Sequence, residues 1–322
     1  PLYNTFLSVD RITQDYIKGR SFNLISTKLK DTLYFRSEFT NEDKEQTPFE
    51  INFYHTMSDD GTSFFGFKKS KFPLGKETWI LNPDDTSNQI ISYNANTKQT
   101  VLTDLLALTN NQLIKLSGAY LNKDEYHFNL DIENVLLEDL LPNSKVFCQS
   151  GIADLKVAIV RSSEENQLDI SATIADWKIN EQQLGQFKFN ANGNTLMNAY
   201  VIAFNLGQDR DKELAANGVW QGLANPTLNL NMEFNELDLD FLSPLGKEAI
   251  QNIGGSITGS VNLWGPINQL KHNGFLNLKN GQISIPYLNI DYKAASTRVK
   301  LSNQDLQYSI KDILLILFQV GT

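Results

Sequence analysis

The chain has one cysteine, Cys148, in 322 residues. No disulfide can close within it, and a lone cysteine between apolar neighbours is expected as a small buried hydrophobe. Histidine is nearly as scarce: His55, His127 and His272 fall in unrelated stretches, with no HxxH, HExxH or Cys/His cluster. A metal hydrolase is therefore not expected. There is no Gly-x-Ser-x-Gly elbow and no phosphate loop, and Gly255-Ser-Ile-Thr-Gly259 reads as a strand of small residues. Asp209-Arg-Asp-Lys-Glu213 lacks the glycine and distal glutamate of a calcium loop and reads as a charged hairpin tip. The sequence gives no reason to expect an enzyme or a cofactor.

Long hydrophobic runs are missing too. The longest, Ile313-Leu-Leu-Ile-Leu-Phe318, is far short of the ~20 residues that cross a bilayer as a helix. No signal peptide is recognisable, and the chain opens at Pro1, so it reads as a fragment with its targeting element elsewhere. Positive charge is the minority: 28 Lys and Arg stand against 37 Asp and Glu, a formal net charge of -9. That argues against a nucleic-acid partner, which needs an electropositive face. The one basic cluster, Lys68-Lys69-Ser70-Lys71, reads as a solvated strand end, with contact to a lipid headgroup as the alternative.

What the chain does have is alternation. In Leu228-Asn-Leu-Asn-Met-Glu-Phe234 the even positions are apolar, and in Ile257-Thr-Gly-Ser-Val-Asn-Leu263 the odd ones are. Phe128–Ile132 and Leu168–Ile174 follow the same rule, and Tyr200–Leu206 is more apolar throughout. Period two marks strands with one wet and one dry face. Turn signals separate them at Asp59-Asp-Gly61, Asn82-Pro-Asp-Asp85, Asn192-Gly-Asn194, Asn225-Pro226 and Asn280-Gly281, the last predicting a tight hairpin. The expectation is an all-β chain of short antiparallel strands in meander order. Ser243–Ile253 predicts a helix, with Ser243 as N-cap, Pro244 at N1 and Gly254-Gly255 at its end. Asp238 and Asp240 precede it as partners for its dipole. A weaker helical signal covers Leu137–Phe147.

A repeat of about 100 residues underlies the pattern. Gly118-Ala-Tyr120 and Asn129-Leu-Asp-Ile-Glu133 return as Gly218-Val-Trp220 and Asn229-Leu-Asn-Met-Glu233. Gly151–Val157 returns as Gly255–Val261, Ile179 as Ile283 and Leu184 as Leu288. The chain divides into an N-terminal stretch of sheet (1–112), a first repeat (113–212) and a second (213–322), within one extended architecture. About two dozen strands, far more than the usual 4–6 in a sheet, would share one dry face. No long amphipathic helix exists to cover it. Such a sheet must fold on itself or hold something apolar.

The stretch Gly254-Gly-Ser-Ile-Thr-Gly-Ser-Val-Asn-Leu-Trp-Gly265, followed by Gly274–Tyr292 and Arg298-Val-Lys-Leu-Ser-Asn303, resembles the TamB family of translocation and assembly proteins, in a Bacteroidota-like version. Weaker likeness extends over about 60–315, through Trp79-Ile-Leu-Asn82 and Gln112–Gly118, while the tail Leu314–Thr322 departs from it. The resemblance implies a β-taco, a U-shaped antiparallel sheet with an apolar trough and one or two short helices. It implies a periplasmic protein tethered to the inner membrane by a segment absent here, which moves phospholipid between membranes or assists outer-membrane protein assembly. The implied partners are phospholipid acyl chains and an outer-membrane barrel of TamA or BamA type.

The groove candidates are Leu228, Leu230, Met232, Phe234, Ile257, Val261, Leu263, Ile283 and Ile285. Trp220, Trp264 and Tyr287 either line the trough or pack across strands, and the glycines at 255, 259, 265, 274 and 281 are expected to let the sheet bend. Two other readings stay open: a groove that chaperones strands of outer-membrane proteins, and a secreted β-repeat that binds glycan or acts as an adhesin.

Overall fold

A computed structural model describes residues 4–14, 17–41, 48–86, 89–141, 148–180, 182–207, 213–246, 251–302 and 307–316. The chain is all-β, and every strand pair with a stated register is antiparallel. It forms two compact units: residues 1–135 with 154–167, and residues 136–153 with 168–322.

The first unit opens with β1 (Asn4–Gln14), β2 (Ile17–Leu29), β3 (Thr32–Asn41) and β4 (Phe49–Met57), each paired with the next. Meander order then breaks. The following strands are β5 (Thr62–Phe67), β6 (Ser70–Leu74), β7 (Glu77–Leu81), β8 (Ile90–Asn94) and β9 (Thr100–Thr109). β4 pairs β5 along Phe53–Met57 and meets β6 at Glu50 and Lys71. β5 pairs β8, β6 pairs β7, and β9 takes β8 on its first half and β7 on its second. Two short strands thus stand where one long strand would fit, on both sides of the split. Meander order resumes with β10 (Gln112–Asn122) and β11 (Glu125–Leu136).

The physical reason the split is tolerated lies in buried side chains that replace the missing ladder bonds. Asn82, fully buried, donates its side-chain amide to the carbonyls of Phe67 (2.7 Å) and Thr86 (2.8 Å), and its Oδ1 accepts from Thr86 N–H (3.0 Å). Its own N–H reaches Leu106 O, and Leu106 N–H donates to Gln89 Oε1 (3.0 Å). Ser70 Oγ accepts from Asn52 N–H and donates to Lys68 O. Trp79 closes the node, fully buried. Its indole N–H has no hydrogen-bond partner, whereas the Asn82, Gln89 and Ser70 side chains bond to the strands around them and hold the junction in place.

The second unit runs through β12 (Gln149–Arg161, shared with the first), β13 (Asn166–Ile179), β14 (Gln182–Asn194), β15 (Ala199–Gly207) and β16 (Leu214–Gln221). It continues with β17 (Thr227–Asp238), β18 (Gln251–Pro266), β19 (Lys271–Ile285), β20 (Ile290–Leu301) and β21 (Gln307–Ile316). From β13 to β21 each strand pairs with the next. The repeated sequence stretches form like hairpins, β10–β11 and β16–β17, each with a left-handed residue near its end, Asn134 (φ 56°) and Glu236 (φ 56°).

Three expectations are corrected. The helix over Ser243–Ile253 is replaced by a 3-10 turn, Asp240–Gly246, and Gln251–Ile253 begins β18. The Ser243 hydroxyl, cast as an N-cap, donates instead to Ile253 O (2.7 Å), and ladder bonding to β19 outweighs a short helix's own propensity. Residues 247–250 lie outside the described residues. The mate is helical over Leu137–Leu140, and 142–147 also lie outside. Asn280-Gly281 is no hairpin: β19 runs straight through it, with Asn280 left-handed (φ 49°) inside the strand. Partners on both sides keep the ladder going, so the conformation that would turn a free chain only bulges this one. Cys148, expected buried, is exposed at the start of β12, where its N–H donates to Asn180 Oδ1 (2.8 Å).

Candidate functional site: an apolar strand face

Register in the second unit turns alternation into rows. One row reads Ala172–Phe189–Phe204–Ala216–Met232–Val261–Gly274–Leu301 across β13 to β20, and the next Ile174–Phe187–Leu206–Leu214–Phe234–Gly259–Leu276–Val299. On the other side of these lies Ile170–Ala191–Ile202–Gly218–Leu230–Leu263–His272. Eight successive strands therefore present one apolar face, with large residues set beside Gly or Ala. The opposite face is polar and includes a run of asparagines, Asn217–Asn231–Asn262–Asn273, in which Asn262 Nδ2 donates to Asn273 Oδ1 (3.2 Å).

Small residues shape the dry face. At Gly259 (φ 145°) a Cβ would sit 2.2 Å from Phe275 O, and at Gly274 (φ 145°) a Cβ would sit 2.1 Å from Ser260 O. The β18 and β19 backbones leave no room for a side chain at these two places, so the glycines serve close approach of the strands there.

One end of the face is closed. Ile179, Leu184, Leu206 and Leu237 form a buried cluster joined by Trp177, Phe187, Leu214, Phe234, Ile257 and Phe241, the last from the 3-10 turn Asp240–Gly246. That turn packs on β14 and β18. Asp238 Oδ1 accepts the Asp240 N–H (2.9 Å) at the start of the turn, in place of the helix dipole the two aspartates were expected to serve. Burial, then the negative charge of Asp238, hold the Asp240 carboxyl above the usual carboxylate range.

Apart from this turn, every major contact among described elements of the unit joins ladder neighbours. No second layer covers the face among the described residues, and most of its large side chains are half-buried.

Five of the nine groove candidates, Leu230, Met232, Phe234, Val261 and Leu263, fall within these rows, and the other four lie further along the same strands. Leu230 pairs Leu263 and Met232 pairs Val261, Leu228 and Phe234 lie on the same side opposite Gly265 and Gly259, and Ile257 pairs Leu237 in the closed end. Ile283 pairs Tyr292 and Ile285 pairs Ile290 beyond the Asn280 bulge. They stay on the same side because the bulge shifts the alternation: the Leu278 side chain lies over Gly281, within 2.4 Å of where a Cβ would be. Leu230 (7% exposed) and Val261 (6%) are the deepest of the set, whereas Met232 and Leu263 are more open. Trp220 lies on the dry face opposite Leu228, Trp264 points to the polar face beside Asn229, and Tyr287 is 92% exposed outside it. Sequence reading omitted Phe187, Phe189 and Phe204, although the alternation in 186–190 carries the signal for the first two.

The histidines stay apart: His55 faces the Phe65 ring (4.6 Å between centroids), and His127 and His272 lie on other strands. Among the described residues no three His, Cys, Asp or Glu side chains come together as metal ligands. No helix among the described residues is long and apolar enough to cross a membrane. No protein-family model, curated protein or solved structure matches the chain.

Proposed function

We propose that the chain is a TamB-like periplasmic protein whose uncovered strand face is a hydrophobic groove for phospholipid acyl chains, serving transport between membranes or outer-membrane protein assembly. The observation that carries the reading is an apolar face eight strands wide with no second layer among the described residues. Half-buried Phe, Leu and Met side chains offer an acyl chain about 0.8 kcal/mol per methylene taken out of water. A chain arriving from a bilayer gains almost nothing net, because it leaves an equally apolar place. That near-neutrality suits sliding along the face rather than tight capture. The polar outer face keeps such a strand array in water.

A photo-crosslinking residue at Met232 or Leu263 tests it, since both are half-buried on the face. The groove reading expects acyl chains as the crosslinked neighbour. Crosslinks to outer-membrane protein strands alone would favour a chaperone groove, and crosslinks confined to the chain's own side chains would overturn both.

A further inference from the structure

The two edges of the β14–β19 sheet are unlike. Because strands alternate in direction, the connections 195–198, 222–226 and 267–270 fall on one edge. They read Thr-Leu-Met-Asn, Gly-Leu-Ala-Asn-Pro and Ile-Asn-Gln-Leu, without a single charge. Of the connections on the other edge, two hold Asp209, Arg210, Asp211, Lys212, Glu213, Lys247 and Glu248 in sequence, and the third, Pro286–Asn289, is uncharged with Tyr287 and Leu288 exposed.

The three uncharged loops are laced into one ridge: Gly222 N–H donates to Asn198 O (2.8 Å) and Ile267 N–H to Pro226 O (3.1 Å). At its apex Leu196 is 59% exposed, Met197 72% and Leu223 70%, with Ile267 and Leu270 also open to water. Three residues behind the exposed Met197, Leu223 and Ile267 stand aromatic side chains: Tyr200 on β15 and its cross-strand partner Trp220 on β16, on the dry face, and Trp264 on β18, on the polar face. Three residues of strand set them back by roughly 10 Å.

We propose that this ridge is a membrane-contact edge that inserts shallowly into a bilayer of neutral, zwitterionic headgroups. The order from the loops inward matches the outer part of a leaflet: aliphatic apices for the acyl region, then indole and phenol rings for the headgroup layer. A protein-binding hot spot would instead set Trp, Tyr or Arg at its centre. The loops carry no charge that insertion would have to strip of water. The chain's formal charge of -9 disfavours an anionic surface, which selects the zwitterionic one. The inference stands apart from what the apolar face holds, because cargo and docking have separate readouts.

The experiment is flotation of the full chain with phosphatidylcholine vesicles, at about 50 and about 500 mM salt. The chain should float at both. The combined change Leu196→Asp, Met197→Asp and Leu223→Asp should lower the bound fraction about tenfold or more, without altering the unfolding midpoint. Leu223→Asp alone, at a single loop apex, should give a several-fold loss and guards against misfolding of the triple variant. Tyr287→Asp with Leu288→Asp, on the other edge, should leave flotation intact. The proposal fails if the wild-type chain does not float or if the two edges respond alike. It also fails if the ridge variant loses self-association in sedimentation while its flotation is unchanged.

Discussion

Replacing Asn82 with alanine tests whether side chains hold the split sheet together. Two terms add. Asn82 sits at φ 49°, where asparagine is tolerated and alanine is penalised by about 1 kcal/mol. The lost amide also leaves the Phe67 carbonyl without its donor, at about 1–2 kcal/mol for a half-buried group. Thr86 is exposed, so water can replace its share. The sum is about 2–3 kcal/mol, with Asn82→Gly recovering about 1 kcal/mol of it through the backbone term. Hydrogen exchange read on β5–β9 should then speed by roughly 30- to 150-fold in the alanine variant if opening is local. Exchange in β14–β19 should stay as it was. If alanine and glycine exchange alike, or if neither differs from the parent chain, the reasoning about the junction is wrong.

Gly259→Val should disrupt the β18–β19 ladder, because Phe275 O occupies the space of its Cβ; loss of amide protection there, with β14–β16 retained, is the expected result. Asp240 has a raised pKa in the folded chain, so its protonated form favours folding. That contribution is complete below the unfolded carboxylate pKa and is lost as pH rises through the folded value. Asp240→Asn should therefore flatten the acid-side pH dependence of unfolding, and an unchanged profile would remove the assignment. The paired change Met232→Asp and Leu263→Asp sets two carboxylates on the dry face and should cut co-purified lipid sharply, whereas Asn231→Asp on the wet face should not.

Much of the fold was legible because alternation is a local property. Leu228–Phe234 and Ile257–Leu263 assign their faces by inspection, and register adds only which residue meets which. What sequence could not give are the places where the ladder overrides local preference. Asn280-Gly281 carries a turn signal, yet the neighbours β18 and β20 keep it in a strand. Ser243-Pro244 carries a helix start, yet the Ser243 hydroxyl is spent on Ile253 O. The division of strands around Asn82 depends on partners 15 to 24 residues away, which the turn signal at Asn82–Asp85 does not reveal. Candidate groove residues followed from parity, but parity alone missed the phenylalanines of β14 and β15 and placed the deep Leu230 and Val261 on a par with the half-buried Leu263.

The most direct test is solvent extraction of the purified full chain followed by mass spectrometry of the extract and of the intact protein. The account predicts phospholipid bound to the chain, lost when Met232 and Leu263 are both made aspartate. A chain that is consistently free of lipid, with those two side chains packed against its own residues, would contradict it.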